Sequence, residues 1–269
     1  MCHVVILNYV HGSFDDPCAY LLKEIAAIWE QQGVKVTVLR GPGQRVEADL
    51  AILHVDLTVV PVDHVAYLRQ YERVLNGPVV DISKRAISSH LVRKPESYDG
   101  AVIAKANRNC AGFKEAELAA RGLMPQQYSR VFTAYRVYDS TAEVPTEMWN
   151  DRDIVIEKFL PERHRGQYCL RTWVFFGDKE TNSLSYANEP IIKSSNVVHR
   201  VPIATVPEEL REMREEMGFD YGKFDYALVD GKVILYDANR TPSLGAFNRE
   251  KYMPTIQLLA GGLDYFLEG

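Results

Sequence analysis

The sequence predicts an α/β protein that opens with a small parallel sheet and continues into a larger, mainly antiparallel part. Over residues 1–83, apolar runs of strand length alternate with helical patterns, which is the order of βαβ units. From residue 154 onward, β-branched and aromatic runs follow one another with few helical patterns between them, as in antiparallel sheets.

The first segment, residues 1–83, contains four predicted strands. The runs HVVILNYV, VKVTVL, DLAILHV and PVVDIS are apolar or β-branched, and helical patterns lie between them in PCAYLLKEIAAIWEQQG and DHVAYLRQYERVL. We expect these strands to form one parallel sheet with helices on its faces.

Two further segments follow, residues 84–157 and 158–269. The second contains YDGAVIAKAN, a strand that includes a lysine, and the helical run NCAGFKEAELAARGL. The third is mainly sheet, and its segment KFDYALVDGKVILYDANRTPS predicts a hairpin that turns at 229–232. Helical patterns in PEELREMREEMG and KYMPTIQLLAGGL complete it.

Charge and cysteine usage exclude several classes of protein. The formal net charge of −5 provides no basic field that would attract a nucleic acid or an anionic membrane. Four cysteines and seven histidines lack the CxxC, HxxxH and HExxH spacings of metal sites, and we expect the cysteines to be reduced thiols. Since the apolar run at the start is too short for a secretory core, we expect a cytoplasmic protein with a small-molecule partner.

The predicted hairpin carries three oxygen-bearing side chains that can converge. Asp225 lies near the start of the first strand, and Asp237 and Asn239, two residues apart near the end of the second, share one face. Two carboxylates and an amide oxygen suit Mg²⁺ or Mn²⁺. The alternative is that these side chains only form turns and caps, where Asp and Asn are also common. However, a carboxylate among buried-type strand residues is costly to desolvate without a partner such as a cation.

Two other segments contain groups that could bind a nucleotide. Lys105 ends the apolar strand AVIAK, where its ammonium either binds phosphate oxygens or reaches solvent. In IVIEKFLPE, the backbone of 158–160 can pair with an adenine edge, and Glu162 can accept from a ribose hydroxyl. The alternative is an edge strand on which Glu157 and Lys158 only face water.

Taken in this order, the motifs resemble the ATP-grasp superfamily, whose members hold ATP between two α/β lobes. The resemblance covers about residues 80–245. It implies an ATP-grasp fold, α/β with α+β character in the ATP-binding lobes. Residues 1–83 would be the preceding small parallel-sheet domain, 84–157 the lid-type lobe, and 158–269 the C-terminal lobe with the metal hairpin.

The resemblance also implies a ligand for each matched residue. Lys84 and Lys105 would bind phosphate oxygens, and Glu157, Lys158 and Leu160 would contact the adenine edge. Glu162 would hold the ribose, and Arg171 would reach the transferring phosphate. Asp225, Asp237 and Asn239 would be the magnesium ligands. Lys105 and Arg171 would be the catalytic cations. The family commonly has glutamate in the place of Asp237, and its phosphate lid is richer in glycine than NRNCAGF.

The activity that the resemblance implies is an ATP- and Mg²⁺-dependent ligase. Such an enzyme activates a carboxylate as an acyl-phosphate for attack by an amine. Two alternatives remain: an ATP-grasp kinase that phosphorylates a small hydroxyl substrate, and a non-catalytic ATP-binding regulatory protein. We expect a small-molecule acid and an amine as substrates, with Arg200 in VVHR as a candidate carboxylate ligand, and leave open whether the chain forms a homodimer.

Overall fold

The structure is a computed structural model that describes residues 2–12, 14, 20–94, 98–244 and 249–268. The described residues form three β-sheets with helices packed against them. Within these ranges, each helix is too short or too polar to cross a membrane.

The strands have the following bounds: β1 His3–Asn8, β2 Lys35–Arg40, β3 Leu50–His54, β4 Val74–Leu75, β5 Val102–Ala106, β6 Arg136–Tyr138, β7 Ile154–Lys158, β8 Glu162–His164, β9 Gln167–Phe176, β10 Lys179–Ala187, β11 His199–Pro202, β12 Tyr221–Val229 and β13 Lys232–Asn239. The helices have these bounds: α1 Leu21–Gln31, α2 Val62–Leu68, α3 Lys84–Ile87, α4 Phe113–Ala120, α5 Thr146–Asn150, α6 Glu208–Met217, α7 Arg249–Ala260 and α8 Asp264–Leu267.

The N-terminal sheet is parallel, with the strand order β2-β1-β3-β4. Every residue of β3 is buried, and β1 is buried from its second residue onward, as expected for strands that are covered on both faces. The edge strand β2 is more exposed. The predicted parallel sheet is therefore present.

The fourth strand of this sheet lies earlier in the chain than the sequence predicted. PVVDIS was expected to be the strand, but α2 ends at Leu68 and β4 is Val74–Leu75. The chain turns away at Asn76, whose backbone is left-handed (φ 57°). Its side-chain amide donates to the carbonyl oxygen of Tyr221 at 2.8 Å, so this turn is held against the C-terminal sheet and not within the first sheet.

The second sheet is antiparallel and has the order β6-β5-β7. Lys105 pairs with Val155, and Ile103 pairs with Glu157. Because side chains alternate along a strand, Lys105 and Glu157 lie on one face as diagonal neighbours. The opposite face packs into its own apolar core, with Trp149 at its edge.

The third sheet has the order β11-β10-β9-β12-β13, and β8 pairs with β9. Its buried face is aromatic, with Trp173, Phe175 and Phe224 packed together against α6. The predicted hairpin is present: Val229 pairs with Lys232, and both turn residues have positive φ, 51° at Asp230 and 78° at Gly231. Such angles are typical of a type I′ turn, for which Asp-Gly is a preferred pair.

The C-terminal helices return to the first sheet. Ile256 and Leu259 of α7 pack with Trp29 of α1, and Phe176 and Tyr221 of the third sheet join the same core. Trp29 Nε1 donates to the carbonyl oxygen of Ala260 at 2.8 Å. The first and third sheets therefore share an apolar core, and the predicted division at 83 and 157 into three units stays a prediction.

Candidate functional site

A cavity of about 230 Å³ lies between the second sheet and the β12–β13 hairpin. One part of its lining is charged and another is apolar. The charged part consists of Lys84, Lys105, Arg108, Lys158, Glu157, Asp225 and Asp237. The apolar part includes Ile103, Leu160, Leu170, Ile191 and Ile192.

The hairpin brings its two predicted carboxylates together. Asp225 and Asp237 are direct cross-strand partners, and Lys223 is opposite Asn239. Because residues two apart share a face, these four side chains lie on one side of the sheet. The register shifts after Asp225, since Tyr226 pairs with Leu235 and Tyr236 is left without a partner residue on β12. This β-bulge changes the direction of the strand beside Asp237.

Each hairpin carboxylate has a lysine partner. Lys84, at the start of α3, forms an ion pair with Asp237. Lys223 Nζ lies 2.8 Å from Asp225 Oδ2, and Thr172 Oγ1 donates to Asp225 Oδ1 at 2.9 Å. The hairpin acids are thus neutralised by ammonium groups from two different parts of the chain.

The charges of the partners determine the direction of the pKa shifts of Lys84, Asp237 and Lys223. Burial by itself lowers the pKa of Lys84, but the charge of Asp237 outweighs it and leaves the pKa above its ordinary value. Burial likewise opposes the charged form of Asp237, and the charges of Lys84 and Lys223 outweigh it, so that this pKa is lowered. For Lys223, the charges of Asp225 and Asp237 overcome burial and raise the pKa. Asp237 is therefore an anion and both lysines are cations at neutral pH.

A second charged group lies on the facing sheet. Lys105 Nζ is 2.5 Å from Glu157 Oε2 and donates to the carbonyl oxygen of Tyr236 at 3.2 Å. His90 Nε2 is 3.1 Å from the same Glu157 oxygen. Although burial raises the pKa of Glu157, the Lys105 charge and the His90 hydrogen bond lower it to about 2. Burial lowers the pKa of Lys105.

The linker after β7 has one free backbone donor. The N–H of Lys158 donates to His90 O at 3.0 Å, and the N–H of Phe159 donates to Ala101 O at 2.8 Å. No acceptor for the N–H of Leu160 is found among the described residues. Its carbonyl oxygen accepts from Tyr236 Oη at 2.5 Å. This donor, at the apolar end of the cavity, can pair with an edge of a planar ring.

Two of the predicted site residues, Arg171 and Glu162, form a pair with each other and do not line the cavity. Arg171 donates to Glu162 from Nε at 2.9 Å and from an Nη at 2.8 Å, and Glu162 also accepts from the N–H of Leu228 at 2.7 Å. Both side chains are therefore engaged in a bidentate pair. Their roles at the transferring phosphate and the ribose stay predictions.

Two other predicted residues lie near the edge of the site. Arg200 is exposed on β11, and its Nε donates to Ser185 Oγ at 2.8 Å. Asn239 Oδ1 accepts from the N–H of Thr241 at 2.8 Å. Asn239 faces a second cavity of about 380 Å³, which is also lined by Asp56 and Thr241 and shares Cys110 with the first. The hairpin therefore runs from one cavity to the other.

Sequence reasoning missed three residues of the site. Lys223 could have been found, because it lies two residues before Asp225 on a predicted strand and so shares its face. His90 and Tyr236 had no such signal. His90 lies in a segment without clear periodicity, and the Tyr236 position depends on the bulge opposite Asp225.

The donor set fits a magnesium ion that also takes oxygen ligands from a nucleotide. Across the described part of the chain, no three His, Cys, Asp or Glu side chains are gathered as for a metal ion. Asp225 and Asp237 provide two carboxylates and Asn239 an amide oxygen on the same face. Mg²⁺ is commonly bound by only one or two carboxylates, with waters and phosphate oxygens completing its octahedron.

No family model and no curated protein matches this sequence. Solved structures do resemble it. D-alanine–D-alanine ligase from Bacillus anthracis has a TM-score of 0.51 at 13% identity, with 100% of this chain and 96% of that chain covered. ATP-grasp ligase PsnB complexed with minimal precursor has a TM-score of 0.55 at 11% identity, covering 97% and 99%. A RiPP-associated ATP-grasp ligase from Chryseobacterium gregarium, in complex with ADP and a leader and core peptide, has a TM-score of 0.56 at 8% identity, covering 100% and 97%. The chain has the ATP-grasp fold.

Proposed function

We propose that this protein is an ATP- and Mg²⁺-dependent ligase that activates a carboxylate as an acyl-phosphate for attack by an amine. The observation that carries the proposal is the cavity itself, in which Asp225 and Asp237 of the hairpin face the Lys105–Glu157 pair of the second sheet. The solved structures that share this fold include ligases.

In this proposal, ATP lies along the cavity from the linker to the hairpin. The adenine packs between apolar side chains such as Ile103 and Leu170 and pairs with the N–H of Leu160. The triphosphate reaches the charged end, where Lys84 and Lys105 provide compact cations for its oxygens. The chain's net charge of −5 makes such local cations necessary for an anionic ligand.

Asp225, Asp237 and Asn239 would hold magnesium at the hairpin. The bound ion supplies neutralisation of the charge on the phosphate oxygens. Asp237 is already an anion in the structure, because lysine charges lower its pKa. A carboxylate that is ionised at neutral pH is ready to act as a metal ligand.

The chain's own cations stabilise both chemical steps. A carboxylate oxygen of the substrate forms a bond to the γ-phosphorus, and the bond from that phosphorus to the oxygen of ADP breaks. The amine nitrogen then bonds to the acyl carbon, inorganic phosphate leaves, and the nitrogen loses a proton. We assign stabilisation of the developing negative charge to Lys84 and Lys105, which line the cavity, whereas Arg171 is held by Glu162 outside the lining.

The second cavity, beside Asn239, is the proposed site for the acid and the amine. It meets the first cavity at Cys110, which is at the phosphate end of the proposed nucleotide site. Two of the similar structures are of ligases bound to a precursor or a peptide, so the substrate test includes peptide carboxylates as well as small acids.

Thermal unfolding with ATP and Mg²⁺ tests the nucleotide site. A ligand that binds only the native state stabilises it by about 2.7 kcal/mol at a hundredfold its dissociation constant. Asp237→Ala is expected to remove the magnesium-dependent part of the shift, whereas Asp178→Ala, at an exposed acid paired with Lys179, is expected to keep it. Absence of any shift with ATP and Mg²⁺ would contradict the proposal.

The products separate the ligase from its alternatives. With pools of amino acids, small acids and peptides, a ligase releases ADP and phosphate only when both an acid and an amine are present. A stable phosphoester would identify a kinase instead. Nucleotide binding without ADP release in any pool would identify a regulatory protein.

A further inference from the structure

Every carboxylate that lines the first cavity in the described part of the chain is paired with a lysine. Lys84 is paired with Asp237, Lys223 Nζ is 2.8 Å from Asp225, and Lys105 Nζ is 2.5 Å from Glu157. Each of these three carboxylates is therefore neutralised by an ammonium group, and Lys158 adds a further positive charge to the lining. A cation that binds one of these carboxylates must therefore displace its lysine.

The Lys84–Asp237 pair is the most consequential for a metal ion. The Lys84 side chain is only 9% exposed, and the residue is anchored by its N–H, which donates to Asn107 O at 2.8 Å. A metal ion that bound Asp237 would displace the Lys84 ammonium, which would then lie in the cavity without a counterion. A buried charge that loses its partner is strongly destabilising.

A triphosphate removes this obstacle. Its oxygens can accept the displaced ammonium groups while the metal takes the carboxylates, so every buried charge keeps a partner. The same argument holds in reverse, since a triphosphate that took the lysines without a metal would leave Asp237 and Asp225 unpaired. Coupling between two ligands is reciprocal.

We propose that Lys84 makes metal binding conditional on the nucleotide, so that the site admits the divalent ion together with a triphosphate and excludes the free ion. This inference rests on the proposed function, because it concerns the same metal and nucleotide. It makes Lys84 a specificity-determining residue for the metal–nucleotide pair as well as a phosphate ligand.

The choice of Lys84 over the two other lysines that are paired with these carboxylates rests on contacts. Lys105 pairs with Glu157, which is not among the proposed metal ligands. Lys223 pairs with Asp225, but its side chain is 28% exposed, so water can solvate its ammonium after displacement. Lys84 combines contact with a metal ligand and nearly complete enclosure.

Manganese provides a probe that does not require catalysis. Binding of Mn²⁺ to the full chain can be followed by loss of the paramagnetic resonance signal of the free ion, without nucleotide. Wild type is expected to bind Mn²⁺ weakly. Lys84→Met is expected to bind it about tenfold more tightly or better, equivalent to about 1.4 kcal/mol. Lys179→Met, at an exposed lysine outside the cavity that is paired with Asp178, is the control and is expected to bind Mn²⁺ as weakly as wild type. Lys84→Arg is expected to retain the exclusion because it keeps the charge.

Thermal unfolding of wild type with Mn²⁺, with the non-hydrolysable β,γ-imido analogue of ATP, and with both gives a second readout. The inference expects the shift with both ligands to exceed the sum of the two single shifts. Tight Mn²⁺ binding by wild type alone, or additive shifts, would overturn the inference while leaving the proposed nucleotide site standing. Absence of any shift with both ligands would overturn the proposed function and the inference together. If Lys84→Met does not fold, Mn²⁺ binding by wild type and Lys84→Arg and the thermal shifts of wild type still test the inference.

Discussion

Glu157 shows how one buried carboxylate organises the charged groups of the second sheet. Its side chain is 1% exposed and contacts both Lys105 and His90. Burial favours the neutral acid, but these two partners lower the pKa from its ordinary value of 4.5 to about 2. The folded protein therefore binds a proton at this residue less readily than the unfolded chain does, which links its stability to pH.

We expect this linkage to appear as acid sensitivity. Because the folded pKa is depressed, the contribution of Glu157 is fully present above about pH 4.5 and is lost as the pH falls toward 2. Its magnitude is about 3 kcal/mol. Urea unfolding at several pH values is expected to show a smaller loss of stability over this window for Glu157→Gln than for wild type. Glu47→Gln, at an exposed acid, should follow wild type, and parallel curves for Glu157→Gln and wild type would contradict the assignment.

At the scale of the element, the β12–β13 hairpin determines whether the site exists. A shift of one residue in strand pairing would turn Asp225 or Asp237 to the opposite face. The pairing is set by a two-residue turn, in which Asp230 and Gly231 have φ of 51° and 78°. Glycine adopts the second of these angles without the steric cost that a Cβ brings.

Gly231→Ala is therefore expected to destabilise the protein through backbone strain. A Cβ at this position would meet nothing within 4 Å, so steric contact with neighbours does not contribute. The expected cost is about 1–2 kcal/mol, the penalty for a left-handed non-glycine residue. Gly43→Ala is the matched control, since a Cβ there also meets nothing and its φ is not positive. Equal midpoints in urea for the two variants would exclude strain at the turn.

At the scale of the whole molecule, Arg240 joins the hairpin to the N-terminal sheet. It follows β13 directly and is completely buried. Its guanidinium donates to the carbonyl oxygens of Val55 at 3.0 Å and Val79 at 3.1 Å, and also to that of Leu57. Burial lowers its pKa to about 10, which leaves it charged at neutral pH. These contacts hold the end of the hairpin that carries Asp237 and Asn239 against the loops that follow β3 and β4.

Arg240→Met is expected to be among the most destabilising single changes in this chain. It would leave several buried carbonyl oxygens without a donor, each at a cost of about 1–3 kcal/mol, so we expect a loss of at least about 3 kcal/mol in chemical denaturation. Arg45→Met is the control, because Arg45 forms a surface ion pair with Glu47 and should contribute less than about 1 kcal/mol. A similar loss for both variants would show that the Arg240 contacts are not needed to hold the hairpin against the N-terminal sheet.

The sequence by itself determined those features that depend on local periodicity. Asp237 and Asn239 share a face because alternate strand residues do, and the Asp-Gly pair predicts where the hairpin turns. The apolar runs of the first segment likewise predict a parallel sheet, although the fourth strand was assigned to PVVDIS, where a loop follows the turn at Asn76.

Only the tertiary structure decided which charged groups meet. Lys84 and Asp237 are 153 residues apart, and no local pattern predicts that such groups become partners. The pairing of Arg171 with Glu162 depends on the pairing of β8 with β9. Periodicity acts over a few residues, whereas the partner of a buried charge is set by how distant elements pack.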